Sequence, residues 1–223
     1  MSLAEMDRRI RKAEKDAGRE QGSTCLLAIS KLQPVGRIRA VLGSGHTQFG
    51  ENRVQEAASK WPELMDSHPG VSLHLVGPLQ SNKVRQAMKL FRCIHSLDRP
   101  KLARRIADVA QEIGQCPDLF IQVNTGEEAQ KSGVIPDDLD RLVSTTRQLE
   151  LPVVGLMCIP PVGEEAALHF GLLANLAERN GLNKLSMGMS GDFETAIALG
   201  ATHVRIGTAV FGERPQSLAG NRG

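Results

Sequence analysis

Lys31 stands just past a short apolar run, Leu26-Leu27-Ala28-Ile29, and a primary amine there can condense with an aldehyde to form an imine. Far along the chain, two stretches carry groups that grip anions. Ser186-Met187-Gly188-Met189-Ser190 leads into a helix expected to start near Asp192, and Gly207-Thr208-Ala209 follows an apolar run ending at Ile206. Glycine lets the backbone approach an anion closely, hydroxyls donate, and a helix start exposes N–H groups. Either stretch alone reads as ordinary turn and capping chemistry. Two on neighbouring strands point to a phosphate site.

The elements that must position these groups follow from periodicity. Strand-like runs are expected at Thr24–Ile29, Thr47–Phe49, Ser72–Val76, Arg92–His95, Leu119–Asn124, Val153–Cys158, Lys184–Met187 and Thr202–Ile206. Several are almost continuously apolar, as strands buried on both faces are. Helical patterns separate them. Leu102, Ile106, Val109 and Ile113 share one face, with Asp98 as cap and Pro100 in the first turn. Pro136, Asp137 and Asp138 open a helix whose apolar face is Leu139, Leu142, Val143, Thr146 and Leu149. Gly181 and Gly200 follow helices expected over Glu164–Asn180 and Phe193–Leu199, where a left-handed residue ends a helix.

Repeated strand–helix units give a parallel sheet with right-handed crossovers. About eight of them suit a compact barrel, whose usual size is roughly 250 residues. The expected fold is therefore α/β, a single (β/α)8 TIM-type barrel over 1–215. An N-terminal helix (Leu3, Met6, Ile10, Ala13, Ala17) precedes it and could cover the outside of the closure. No second domain is expected, and 216–223 reads as a flexible C-terminal tail.

Barrel closure makes the first strand the neighbour of the eighth, so Lys31 falls beside Arg205, Gly207 and Thr208 at the C-terminal rim where barrel active sites lie. An amine within a molecule's length of a phosphate pocket suits an aldehyde phosphate. Arg205 is either a salt-bridged barrel arginine or a permanent cation facing the ligand. Facing a pyridine nitrogen, it would disfavour protonating the ring and so weaken carbanion chemistry.

Composition narrows the classes. The balance of 27 Lys+Arg against 25 Asp+Glu is nearly neutral, and the Arg8, Arg9, Arg11, Lys12 cluster alternates with apolar residues as a solvated helix face does. Neither nucleic-acid binding nor membrane insertion is expected, since no apolar run approaches ~18 residues. Cys25, Cys93, Cys116 and Cys158 form no C-x-x-C pair and no finger spacing. With no apolar signal core at the start, a reducing cytoplasm is the expected compartment.

The ordered stretches Ala28-Ile29-Ser30-Lys31, Phe49 to Glu56, Gly77 to Lys83, Ile94 to Asp98, Gln122 to Thr125, Lys131 to Gly133, Gly155 to Pro160, Leu185 to Ser190 and His203 to Gly212 cover most of the chain. Together they resemble the pyridoxal phosphate homeostasis protein family, relatives of the barrel domain of alanine racemase. The resemblance implies a cofactor, pyridoxal 5′-phosphate, held as a Schiff base on Lys31. It implies Ser186, Ser190, Gly207 and Thr208 around the phosphate, Arg205 at the ring nitrogen, Asn52 near the ring hydroxyl and Met187 against the ring. Gly191 departs from the acidic residue frequent there, leaving Asp192 to cap the helix. Lys131 reads as an exposed loop lysine that could approach the mouth.

The role implied is that of a binding protein which stores, buffers or delivers the cofactor, with client enzymes as partners. The alternatives are a weak racemase or transaminase using Lys31, or a Schiff-base aldolase on a sugar phosphate. A two-base racemase needs a proton acceptor on each face of its carbanion. Alanine racemase resembles this barrel but adds a second domain and uses a tyrosine on the face opposite lysine; this chain contains no tyrosine. Little or no amino-acid turnover is expected.

Overall fold

The strands form where the apolar runs are, and they close. In the computed structural model, which describes residues 2–212, they are β1 (Cys25–Ile29), β2 (Gln48–Glu51), β3 (Ser72–Leu75), β4 (Cys93–Leu97), β5 (Asp118–Val123), β6 (Val153–Cys158), β7 (Lys184–Ser186) and β8 (His203–Ile206). They pair in sequence order as a closed parallel barrel. β8 returns to β1 with Leu27 opposite Arg205 and Ala28 opposite Ile206. The expected end of the barrel at residue 215 and the tail over 216–223 lie outside the described residues.

Side chains alternate across each strand. Leu26, Ala28, Phe49, Leu73, Leu75, Val204 and Ile206 belong to one large apolar cluster shared with the helices. Each such burial contributes about 1.5–3 kcal/mol. Leu27 and Ile29 instead pack with Val76 in a small separate cluster inside the barrel. A second small apolar cluster, Cys93, Phe120 and Met157, lies beside a buried polar group made of His74, His95, Ser186 and Arg205.

The helices around it are α1 (Leu3–Asp16), α2 (Val35–Gly43), α3 (Val54–Ser67), α4 (Val84–Leu90), α5 (Pro100–Ile113), α6 (Leu139–Gln148), α7 (Ala166–Arg179), α8 (Phe193–Ala198) and the short α9 (Thr208–Phe211). α1 packs on α8 and α9, outside the β8–β1 closure, through Met6 and Ile10. Its cationic cluster is largely matched by acids: Arg9 pairs with Glu194, Arg11 with Glu14 and Lys12 with Asp16. No helix among the described residues is long and apolar enough to cross a membrane.

Some boundaries differ from expectation. β2 runs on through Gly50 and Glu51, and β4 through Ser96 and Leu97. Glu51 is fully buried, with the Ser30 hydroxyl and the Trp61 indole donating to its carboxylate. Asp98 does not cap α5; Arg99 occupies that position without a side-chain bond, and Asp98 is ion-paired to it. α7 starts two residues later than expected, whereas Gly181 and Gly200 take the left-handed backbone foreseen for them.

Glu14 ties α1 to the start of β1. Its carboxylate accepts from Thr24 N–H at 2.7 Å, Gly22 N–H at 3.0 Å and Arg11. Burial pushes this carboxyl up, but Gly22, Arg11 and Thr24 outweigh it and hold it below the ordinary glutamate range. A depressed carboxyl stabilises the fold above its unfolded pKa, and that contribution disappears as pH falls through the folded value. Glu14→Gln should lose about 1–3 kcal/mol at pH 7. The gap should narrow on acidification below about pH 4. Urea unfolding of both proteins across that range checks it; a gap independent of pH would contradict it.

Candidate functional site

A cavity of about 200 Å³ opens where the strands end. Its wall is built from residues just past β1 (Lys31, Gln33), β2 (Asn52), β3 (Val76), β6 (Ile159), β7 (Met189, Ser190) and β8 (Gly207, Thr208), with Ile29 and Arg205 at its base. Among the described residues, two cations and no carboxylate line it. Hydroxyls of Ser190 and Thr208 supply donors, and Ile29, Val76 and Ile159 an apolar side. Such a lining suits a small anion carrying a flat apolar body.

The turn that carries Lys31 is held on both sides. Ser30 N–H donates to Gly50 O at 3.0 Å, and Ser30 Oγ donates to Glu51 Oε1 at 2.6 Å. Glu51 Oε1 also accepts from Trp61 Nε1 at 3.0 Å and pairs with Lys60 at 2.8 Å. Lys60 Nζ donates to Ser30 O at 3.1 Å and to Glu56 Oε1 at 2.8 Å. Glu56 Oε1 in turn accepts from Leu32 N–H at 2.6 Å. Leu32 has φ +59°, a left-handed backbone that costs a non-glycine residue about 1–2 kcal/mol. α3 thus delivers Glu56, Lys60 and Trp61, at i, i+4 and i+5, onto the backbone flanking the amine. None of these partners was singled out in the sequence; the Glu56–Lys60 spacing was the available signal.

Arg205 is 6% exposed and its guanidinium is held by uncharged partners. Its Nη1 donates to Ser186 Oγ and its Nη2 to Cys158 O, both at 2.8 Å. Burial lowers its pKa from the free value, Cys158 and Asp192 oppose that, and arginine stays a cation at any ordinary pH.

Of the residues expected at the site, Lys31, Asn52, Ser190, Arg205, Gly207 and Thr208 come together on one cavity wall. Two do not. Ser186 is fully buried below the cavity, its hydroxyl engaged by Arg205 and His95, so it supports Arg205 instead of reaching a phosphate. Met187 is buried in the apolar layer with Leu185, on the outer side of β7, and Met189 lines the cavity in its place. Period-two alternation puts 187 on the face of 185, a signal present in the sequence. Asp192 occupies the cap position of α8 but accepts from Met189 N–H at 2.5 Å, bracing the loop and not the helix. Lys131 pairs with Glu128 and does not line the cavity.

Asn52 is fixed from behind by Gly77. A Cβ on Gly77 would lie 2.2 Å from Asn52 O, with nothing but backbone to yield. Gly77→Ala should therefore destabilise the protein by about 1–3 kcal/mol. It should also displace Asn52 and weaken ligand uptake at the cavity. Denaturation and ligand titration of the variant check both, and a neutral result would mean the loop has room to relax.

Residues 1–215 match the family model described as alanine racemase, N-terminal domain. The pyridoxal phosphate homeostasis protein of Pseudomonas aeruginosa is 44% identical over 221 residues, covering 96% of this chain and 94% of that protein. The chain belongs to the alanine racemase N-terminal domain family, in its pyridoxal phosphate homeostasis branch. Another member of this branch, from Aquifex aeolicus, is 43% identical over 95% of this chain and 96% of its own. Within the family, PipY of Synechococcus elongatus has been solved with PLP bound; it is 37% identical, covers 91% of this chain and all of its own, and superposes with a TM-score of 0.78. An alanine racemase of Clostridium difficile shares the fold at 14% identity and a TM-score of 0.69; the match spans 57% of that longer chain.

Proposed function

We infer that this protein binds pyridoxal 5′-phosphate and takes part in its intracellular homeostasis, with Lys31 holding the aldehyde carbon as a Schiff base. The observation that carries the site assignment is the meeting of Lys31 and Arg205 in one cavity with the Ser190 and Thr208 hydroxyls. When bound, the cofactor supplies an electrophilic aldehyde and an aromatic ring able to take up electrons. The chain's residues do the rest. Ser190, Gly207 and Thr208 would hold the phosphate, Arg205 would meet the ring nitrogen as a donor, and Asn52 would meet the ring hydroxyl. Ile29, Val76 and Ile159 cover the flat faces and exclude water. A cation at the ring nitrogen keeps that nitrogen unprotonated, which suits holding a reactive aldehyde more than turning over amino acids.

Adding pyridoxal 5′-phosphate to cofactor-free protein should give a visible absorption band that borohydride removes while fixing the label on Lys31. Label on any other lysine would defeat the assignment. Following the α-proton of alanine in deuterated water separates holder from enzyme: slow, non-saturating exchange is expected, and fast saturable exchange would make the protein a racemase or transaminase. Client enzymes that receive the cofactor are part of this proposal, and capture from lysate that requires the loaded form would support them. The four cysteines, none in a disulfide, favour the cytoplasm.

A further inference from the structure

Below Arg205 the barrel axis is filled by a continuous line of polar side chains. Arg205 Nη1 lies 2.8 Å from Ser186 Oγ, and Ser186 Oγ lies 2.9 Å from His95 Nδ1. His95 Nε2 meets His74 Nδ1 at 3.0 Å, and His74 Nε2 meets Gln48 Oε1 at 3.2 Å, with Ser72 Oγ equally near. Ser186 and His95 are fully buried and His74 is almost so. Phe120 stacks on His95 at 4.4 Å between centroids, nearly parallel, which fixes the ring plane.

The cationic end of the line favours one placement of the protons. A guanidinium only donates, so Ser186 Oγ accepts from Arg205 and has one hydrogen left to give. Giving that hydrogen to His95 Nδ1 leaves no buried hydroxyl hydrogen unpaired, and it makes Nδ1 the unprotonated nitrogen. His95 then carries its hydrogen on Nε2 and donates to His74 Nδ1, and His74 carries its own on Nε2 and donates to Gln48 Oε1. Both rings are neutral in this arrangement. Burial is the main reason they stay so, reinforced by the Lys184 charge near His74 and the Arg205 charge near His95; His74 is pushed down to about 3.

We propose that His95 and His74, acting through Ser186, are positioning residues for Arg205: a one-directional hydrogen-bond line that aims its guanidinium at the cavity. The proposal rests on the reading of Arg205 as the group facing the cofactor ring. His74, Cys93 and His95 also place three donor atoms within 4.8 Å of one another, the spacing of a metal site. The proton assignment argues against an ion there. Every ring lone pair is already accepting a hydrogen bond, burial keeps the Cys93 thiol protonated, and two cations stand close by. The three residues are the middle of a relay, not a ligand set.

Nitrogen-15 NMR of the cofactor-free protein at pH 7 tests the proton assignment without any ligand. Both His74 and His95 are expected as neutral rings protonated on Nε2. An Nδ1 proton on either, an imidazolium, or stoichiometric zinc lost in Cys93→Ser would overturn it. Cofactor titration tests the positioning. Ser186→Ala and His95→Leu should bind pyridoxal 5′-phosphate about tenfold more weakly, the effect of one hydrogen bond, and with a shifted absorption band. His95→Gln, which keeps an acceptor for Ser186, should recover most of both. Equal affinity and an unchanged band in Ser186→Ala would end the proposal, even if His95→Leu failed to fold. Wild-type protein that takes up no cofactor would instead refute the function proposed above, leaving the proton assignment standing on the NMR.

Discussion

Lys31→Ala should give a folded, colourless protein that borohydride no longer labels. The expected loss of covalently fixed pyridoxal 5′-phosphate is complete, because no other lysine lines the cavity. Folding should survive because the amine is half-exposed on a turn whose backbone is held by Ser30, Glu51 and Glu56. Substitutions of that kind stay within about 0.5 kcal/mol. Residual non-covalent binding through the phosphate cradle should remain and be displaced by inorganic phosphate. Mass spectrometry after reduction, with circular dichroism as the folding control, reads both halves. Continued labelling at another position would move the imine elsewhere, and loss of the fold would mean Lys31 has a structural task in addition.

Lys60→Met should be the most damaging replacement outside the cavity. It removes the cation from Glu51, which is wholly buried, and at the same stroke the donor to Ser30 O and Glu56. Breaking a buried pair from one side costs about 3–5 kcal/mol, because the surviving charge is left uncompensated. Adding Glu51→Gln should restore part of the loss. The amide oxygen can still accept from Ser30 and Trp61 and no longer carries a charge. The same single variant should loosen the Ser30–Leu32 turn and slow imine formation at Lys31, since Glu56 would have to hold the left-handed Leu32 alone. Urea unfolding of the single and double variants, alongside the rate of band formation, checks the coupling. A Lys60→Met penalty below about 1 kcal/mol would show that water reaches Glu51 freely.

The comparison of these two lysines also shows what sequence can and cannot disclose. Lys31 was legible because it follows an apolar strand and because barrel closure is a topological rule that joins the first strand to the last. Ser190, Gly207 and Thr208 were legible as loop chemistry after strands seven and eight. Lys60 was hidden: it sits in a helix beside Trp61 and before a proline, where a lysine is ordinarily solvated, and only the packing of α3 against β2 turns it inward. Ser186 and Met187 were drawn to the cavity by proximity to Ser190, although strand alternation sends one beneath the cavity and the other to the outer layer. The histidine line escaped notice for the same reason. His74, His95 and Gln48 lie in separate strands, and nothing in one strand announces what faces it across a barrel.

The pairing of β1 with β8 has a consequence for how the molecule comes into being. The Lys31 amine and the cavity residues after β8 come from distant parts of the sequence: Leu27 and Arg205, 178 positions apart, stand opposite each other in the finished ring. A chain whose eighth strand has not docked therefore has no complete cavity at Lys31, and on the function proposed above capture of the cofactor would begin only after that strand docks. Uptake of the cofactor by nascent or refolding chains would in that way report completion of the ring itself, a colour change marking the moment when beginning and end meet.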